Sequence, residues 1–453
     1  MVKKQIFGTD GIRTTANVYP LTPESAVKVG KAVTCWFQKK NPAKKIEAAI
    51  GTDTRISSEM LSAAVSAGIM SAGGNVTDLK VVSTPLVSDF VRTNKCDFGI
   101  VISASHNPFE DNGIKIFNSK GEKLNDEQEL EIEALFFDGN EADNPTGKDV
   151  GTAKIAENPE FDYVSRIVKA FESLKDSDVR LCIDCANGAT AKIAKKIFAS
   201  FSKMEKFFFF TEANGININD NCGALHPENL APKILEHKCF VGFAYDGDGD
   251  RLITVDELGR VVDGDKIIGI IAKYLNKNGR LAKNAAAVTV MSNAGLEKHL
   301  ANCGISLERT NVGDRYLVER INEKGLSLAG ENSGHLIIKE INPTGDGIVA
   351  SLMILKILSE NGRKLSELAD EIELYPQIQA KVKVIEKTPI EEIPGLCELI
   401  KSQEEQLEGG RMLVRYSGTE PVMRVMAEGP DSAKVQNAVN QVADFVKNLN
   451  GGK

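Results

Sequence analysis

Long apolar runs, an excess of basic charge and two neighbouring pairs of metal-spaced cysteines are all missing from this 453-residue chain, and each absence removes a class of function. No stretch approaches the ~20 consecutive apolar residues that a membrane-spanning helix needs. Met1-Val-Lys-Lys reads as passing straight into a strand, not into an apolar leader. A cytoplasmic protein with no membrane partner is therefore expected. The 55 Lys and Arg stand against 63 Asp and Glu, a formal charge of −8 that argues against a nucleic-acid partner. An anionic ligand would have to be drawn by local Arg and Lys, not by the field of the whole chain. Eight cysteines are scattered, mostly within apolar runs. Cys182-Ile-Asp-Cys185 has redox or zinc spacing, but no second pair lies near it, so buried, reduced thiols are expected. The five histidines show no metal-ligand spacing, and His226, His237 and His299 read as structural.

What is present is concentrated in two segments. Residues 246–251 read Asp-Gly-Asp-Gly-Asp-Arg, directly after the apolar run Cys239–Tyr245, which has the character of a buried strand. The three carboxylates thus sit where a strand of an open α/β sheet ends, the usual place for ligand groups. Their oxygens suit a hard cation such as Mg²⁺, the glycines let Asp246, Asp248 and Asp250 converge, and Arg251 offers a fork for phosphate oxygens. Glu257 falls at position twelve of an EF-hand register, but Arg251 occupies the position that needs glycine and the flanks read as strand, which excludes that motif.

The second segment, Ser103-Ala-Ser-His-Asn-Pro108, follows the strand-like Gly99-Ile-Val-Ile-Ser103 and precedes a turn and strand at 111–117. A serine at a strand end beside His106, with Lys115 nearby, can carry a transferable phosphoryl group whose oxygen also coordinates the metal. No Gly-x-Ser-x-Gly elbow surrounds Ser105, which counts against a hydrolase triad. Two further loops carry polar groups. In Gly330–His335, Glu331 and Ser333 offer acceptors for hydroxyls or an ammonium. After the strand-like Arg411-Met-Leu-Val, the residues Ser417, Gly418 and Thr419 can form an anion nest on which Arg415 or Arg424 closes.

Strands alternate with helical stretches through most of the chain, which implies parallel or mixed sheets covered by helices. Strands at 179–184, 206–210, 239–245 and 286–290 alternate with helices near 189–202, 228–237 and 294–303, and Asn311-Val-Gly-Asp opens another. Phe207–Phe210 reads as a buried strand. Three α/β units of similar plan suggest an internal repeat. After helices at 346–360 and 364–373 the chain changes at Tyr375-Pro376 to strand, helix, strand, strand, helix. The expected domains are 1–155 with the serine loop, 156–255 with the carboxylate loop, 256–372 with the loop containing Glu331, and an α+β domain at 373–453, around one cleft. The Tyr375-Pro376 segment is an expected hinge.

Several segments, in order, carry a family resemblance: Phe7-Gly-Thr-Asp-Gly-Ile-Arg13, Asp53–Ser57, Ser103–Pro108, Asp246–Arg251, Val312-Gly-Asp-Arg-Tyr316, Gly330–His335 and Arg415–Pro421 with Arg424. Together they resemble the α-D-phosphohexomutase superfamily over essentially the whole chain, and within it the bacterial phosphoglucosamine mutase branch. Asn219–Pro227, the Val312–Tyr316 loop and Thr344-Gly-Asp-Gly-Ile348 favour that branch. Two departures stand out: Thr14 follows Arg13 where Gly is expected, and Asn332 stands where that branch usually has Gln. Asn keeps the amide and shortens its reach.

The resemblance implies an isomerase that moves phosphate between two hydroxyls of a hexosamine phosphate, a small-molecule substrate, through a phosphoserine and a bisphosphorylated sugar. Ser105 matches the phosphorylated serine. Asp246, Asp248 and Asp250, with an oxygen of that phosphate, would hold Mg²⁺. Arg13 and Arg251 would steady the transferring phosphate, and Lys115 or His335 would act as general acid or base. Asp314, Arg315, Glu331 and Ser333 would read the sugar, and Arg415, Ser417, Gly418, Thr419 and Arg424 would hold the other phosphate. A sister enzyme acting on mannose or glucose phosphates is the alternative, and the oligomeric state stays open.

Overall fold

Three sheets are built to the same plan, and the plan explains where the chemistry-bearing loops fall. In each, parallel strands end in a loop from which the chain turns back as an antiparallel strand. In a six-stranded sheet, Glu47–Thr52 lies between the parallel strands Asn75–Val81 and Phe98–Ile102, and Phe98–Ile102 pairs antiparallel with Asp111–Asn118. In a five-stranded sheet, Arg180–Asp184 lies between the parallel strands Glu205–Phe209 and Val241–Tyr245, and Val241–Tyr245 pairs antiparallel with Leu252–Asp256. In a four-stranded sheet, Ala285–Thr289 runs parallel to Leu328–Gly330, which pairs antiparallel with Leu336–Ile338. The reversing loops are 103–110, 246–251 and 331–335. The strands leading into them, Phe98–Ile102, Val241–Tyr245 and Leu328–Gly330, are buried at every position because helices cover both faces.

The computed structural model describes residues 4–42, 44–138, 144–417 and 421–449. The chain divides into two units, Met1–Val290 with Leu307–Ala369, and Met291–Ser306 with Asp370–Lys453. In the larger unit the first sheet buries Ile50, Phe98 and Ile100 against Val29 and Val33 of the helix Pro23–Lys40 and Leu61 and Val65 of the helix Ser58–Ser71. Thr22 caps the first of these helices through its side chain, with Pro23 at the start, where its missing N–H costs nothing. The smaller unit is an antiparallel sheet with Val422–Glu428 between Gln377–Lys383 and Arg411–Tyr416. Its core joins Val425 to Val439 and Val442 of the helix Ser432–Leu449.

Three expectations need correction. The chain does not pass straight into a strand at its start: residues 5–11 are irregular and the first strand is Ile12–Thr15. The cause is a tight turn in which the Gly8 N–H donates to the Gly11 carbonyl, with Gly11 at φ 73°. Phe207, Phe208 and Phe209 are only half-buried and Phe210 is exposed, because Glu205–Phe209 is an edge strand. Phe207 there stacks on His237 at 4.1 Å and packs, only partly buried, against the core around Cys182 and Ile234. The helix near 228–237 is shorter, a 3₁₀ turn Pro227–Leu230 running into Ala231–His237.

Candidate active site

The serine loop is held by groups remote in sequence. Ser103 Oγ donates to Asp53 Oδ2 (2.7 Å) and accepts the Ser105 N–H (2.9 Å). Ser105 sits at φ 54°, a left-handed conformation that a residue with a Cβ adopts only when its surroundings impose it. Arg55 imposes it. Its buried guanidinium is anchored on Asp53 (Nε–Oδ2, 2.8 Å) and donates to the carbonyls of Ser105 (3.0 Å), Asn107 (2.8 Å), Asp111 (2.9 Å) and Pro108. Asn219 Nδ2 donates to the same Ser105 carbonyl at 2.9 Å. The loop so pinned aims Ser105 Oγ at Asp246 Oδ2, 2.6 Å away, with His106 Nδ1 at 3.3 Å.

Asp246 serves two sides. Its Oδ1 accepts the backbone N–H groups of Gly249 and Arg251, both at 3.1 Å, which folds the loop, while Oδ2 faces the serine. Asp248 Oδ2 accepts from Thr84 Oγ1 and from Lys115 Nζ, each at 2.7 Å. Asp250 Oδ2 lies 3.5 Å from Lys115 and 3.7 Å from His335 Nδ1. All three carboxylates are at most 3% exposed, and oxygens of the three lie within 4.8 Å of one another. Burial, then Asp250 and Asp248, push the Asp246 carboxyl well up. Burial also works against the charge of Asp250, but Lys115 and His335 outweigh it and hold that carboxyl well below the usual range. Among the described residues, Oδ1 of Asp248 and Oδ1 of Asp250 are buried without a hydrogen-bond partner. Buried carboxylate oxygens left unpaired are costly, and a hard divalent cation satisfies them, so this donor set fits Mg²⁺.

Around this core the structure gathers more residues than expected. Lys115 is buried, yet Asp10, Asp248 and Asp250 overcome that burial and raise it, so it is an ammonium. Asp10, from the first motif, holds Arg13, Lys115 (3.4 Å) and Lys123, and Lys123 also reaches Asp314. Burial lowers His335, but Asp250, Asp314 and Glu331 more than compensate and raise it. Its Nδ1 faces Asp250 and its Nε2 faces Asp314 (3.7 Å each), the arrangement of an imidazolium between two carboxylates. Burial, then Arg251 and Arg13, push His106 down to about 3, so that ring is neutral. Arg251 and His335 pair through their backbones, joining the carboxylate loop to the loop 331–335. Within that loop Ser333 Oγ donates to Glu331 Oε2 (3.1 Å).

Arg315 is engaged differently. Its guanidinium binds Glu129 (2.7 Å) and Asp126 (2.6 Å) on the helix Asp126–Phe137. Sequence reasoning assigned no role to Arg55, Asn219, Asp10, Thr84 or Lys123. The first three lie within the segments 7–13, 53–57 and 219–227, but a short motif does not say which distant carbonyl or carboxylate its side chain meets.

The smaller unit carries its own cationic cluster. Arg415 and Arg424 stand opposite each other on neighbouring antiparallel strands. Burial and the Arg424 charge both push Arg415 down. Arg424 Nη2 lies 3.5 Å from Ser417 Oγ, and Lys387 Nζ, not anticipated, donates to the Ser417 carbonyl at 2.6 Å. Gly418 and Thr419 lie outside the described residues.

Comparison with known proteins identifies the family of the chain. Profiles of the phosphoglucomutase/phosphomannomutase family match in all four parts: α/β/α domain I at residues 4–143, domain II at 161–259, domain III at 263–375 and the C-terminal domain at 378–445. A phosphoglucosamine mutase of Citrifermentans bemidjiense is 43% identical over 99% of this chain and 99% of its own. One from Streptococcus agalactiae is 44% identical over 97% of this chain and 98% of its own. A crystal structure of a phosphoglucomutase/phosphomannomutase family protein from Burkholderia thailandensis superposes with a TM-score of 0.80 at 23% identity. It covers 100% of this chain and 99% of its own, and shows the same fold. Among the described residues no helix is long and apolar enough to cross a membrane.

Proposed function

Because the chain belongs to the phosphoglucomutase/phosphomannomutase family, we propose that it interconverts glucosamine 6-phosphate and glucosamine 1-phosphate through a phosphorylated Ser105. The observation that carries the reading is the Ser105 hydroxyl, buried and 2.6 Å from one of three converging carboxylates. In the forward half the P–O bond to Ser105 breaks as a P–O bond to a sugar hydroxyl forms, giving a sugar bisphosphate. After that intermediate turns end for end, its other phosphate returns to Ser105. Asp246, Asp248, Asp250 and an oxygen of the phosphoserine would hold Mg²⁺, which when bound neutralises charge on the phosphoryl oxygens.

The protein's own groups supply the rest. Arg55 and Asn219 keep Ser105 aimed, a positioning role that lowers the entropy of reaching the transferring geometry. Arg13 and Arg251 balance the charge of the transferring phosphate. Lys115 or His335 would act as the general acid or base toward the reacting oxygens. Asp314, Glu331 and Ser333 would read the sugar, and Arg315 would act through the helix it braces. Arg415, Ser417, Gly418, Thr419 and Arg424 would bind phosphate. The cytoplasm suits eight cysteines that are all free thiols.

Coupled assays of the purified protein on glucosamine, glucose and mannose 6-phosphates, with Mg²⁺ and a trace of sugar bisphosphate, test the reading. The highest kcat/KM should fall on glucosamine phosphate. A higher value on glucose or mannose phosphate would replace it with the sister activity.

A further inference from the structure

We infer that Tyr163, Asp346 and Asn342 form a positioning cluster that holds the carboxylate loop and His335 in register, an inference that rests on the reading of the centre given above. It begins from Thr344-Gly-Asp-Gly-Ile348, a stretch that places no side chain in that centre. The backbone there lies flat on the His335 ring: a Cβ on Gly345 would fall 2.3 Å from Cε1, 2.4 Å from Nε2 and 2.6 Å from Nδ1. Two residues on, the Gly347 N–H donates to the Gly249 carbonyl of the carboxylate loop at 3.0 Å, and a Cβ on Gly347 would meet the Arg251 carbonyl oxygen at 2.5 Å. Bare backbone therefore shapes the site at two points, and something else must fix that backbone.

Asp346 fixes it. At 1% exposure, its Oδ1 accepts the Val349 N–H (3.0 Å) and caps the helix Gly347–Asn361. Its Oδ2 accepts from Tyr163 Oη (2.7 Å) and from Asn342 Nδ2 (3.0 Å). Asn342 Nδ2 also donates to the Pro85 carbonyl (3.3 Å), beside Thr84, whose hydroxyl binds Asp248. Arg166, on the same helix Phe161–Ala170 as Tyr163, donates to the Ile341 carbonyl (2.7 Å) and pairs with Asp89 on the helix Thr84–Thr93. Three segments thus meet on one buried carboxylate, and two of them run from it to the centre, one to Asp248 and one to Gly249 and His335. Removing one donor from a buried carboxylate leaves charge uncompensated, so its segments shift to regain partners.

The test deletes one hydroxyl, with a matched control. In Tyr163→Phe the ring still packs; in Tyr274→Phe the hydroxyl lost donates to Glu360 Oε2 at 2.7 Å, at the opposite end of the helix Gly347–Asn361 from Gly347. Tyr163→Phe should lower kcat by about 10- to 100-fold with KM nearly unchanged, the scale of a misplacement of ~1 Å. It should also raise the Mg²⁺ concentration for half-maximal turnover. In metal-free protein, amide hydrogen exchange should quicken over 246–251 and 335–348. Tyr274→Phe should do none of these at a similar melting temperature. Unchanged exchange over both segments overturns the inference, as do faster exchange with unaltered kcat and Mg²⁺ dependence or equal losses in the control. If Tyr163→Phe does not fold, Asp346→Asn carries the same readouts. Should the wild-type protein turn over no hexose phosphate, the proposed function fails, while exchange in the metal-free protein still decides the cluster.

Discussion

In the larger unit, Asp246, Asp248 and Asp250 are buried together, and Lys115, Arg251 and His335 surround them so that most charges already face an opposite one. In the smaller unit, Arg415 and Arg424 face each other across a strand pair, half-buried, with Lys387 beside the same loop. Like charges set directly opposite destabilise a sheet. The first region is a preorganised polar centre in which groups are fixed before substrate arrives. The second sets two cations opposite each other across a strand pair, an arrangement that a bound anion would stabilise. The contrast separates chemistry from grip: one region should govern rate, the other affinity.

Ser105→Ala should break the first region most completely. Turnover should fall by roughly 10⁴-fold or more, the scale of losing a covalent nucleophile. Peptide mapping of active wild-type protein should find one phosphoryl group on Ser105, and a fully active alanine variant would end the covalent mechanism. Next comes Asp248→Asn, which removes the charge that Lys115 and Thr84 hold in place. A loss of about 10²-fold is expected, with a raised Mg²⁺ requirement. Chelator-treated wild-type protein that keeps its activity would instead make the carboxylate loop a mere turn.

Arg415→Ala sharpens the other side. KM should rise about ten- to hundredfold for every hexose phosphate tried, because a charge-assisted bond to a shared group is lost. Glu331→Gln should instead discriminate, costing glucosamine phosphate about tenfold more in kcat/KM than glucose phosphate. Equal losses would show that Glu331 meets a hydroxyl common to both sugars.

The smallest effect is one of pH. The folded protein raises His335 above its unfolded value, so the stabilisation it confers is fully present below ~6.5 and is lost as pH rises through the folded value. In metal-free protein, the melting temperature of wild type should exceed that of His335→Gln by most at acidic pH, and the gap should close as pH rises. A gap that widens with pH would reverse the assignment of His335 as an imidazolium between Asp250 and Asp314.

What could be read in the sequence was whatever neighbours along the chain decide. An apolar run that ends in alternating Asp and Gly is a buried strand followed by a tight carboxylate turn wherever it occurs, and Val241–Tyr245 with 246–251 is just that. The strand before Ser105, the alternation of strands and helices, and the antiparallel character of the last segment follow from the same local periodicities. Edge position was not legible, which is why Phe207–Phe210 was read as buried: four aromatics look alike in a central or an edge strand until the strand order is known. Nor were the partners of long side chains. Arg55 meets carbonyls 50 or more residues away, Asn219 meets one 114 residues away, and Arg315 reaches Glu129 across 186. Such pairings depend on how sheets and helices pack, and burial then selects among them, because a guanidinium or carboxylate taken out of water must find every partner within reach. The sequence determined where the serine and carboxylate loops fall; tertiary packing alone decided which groups hold those loops still.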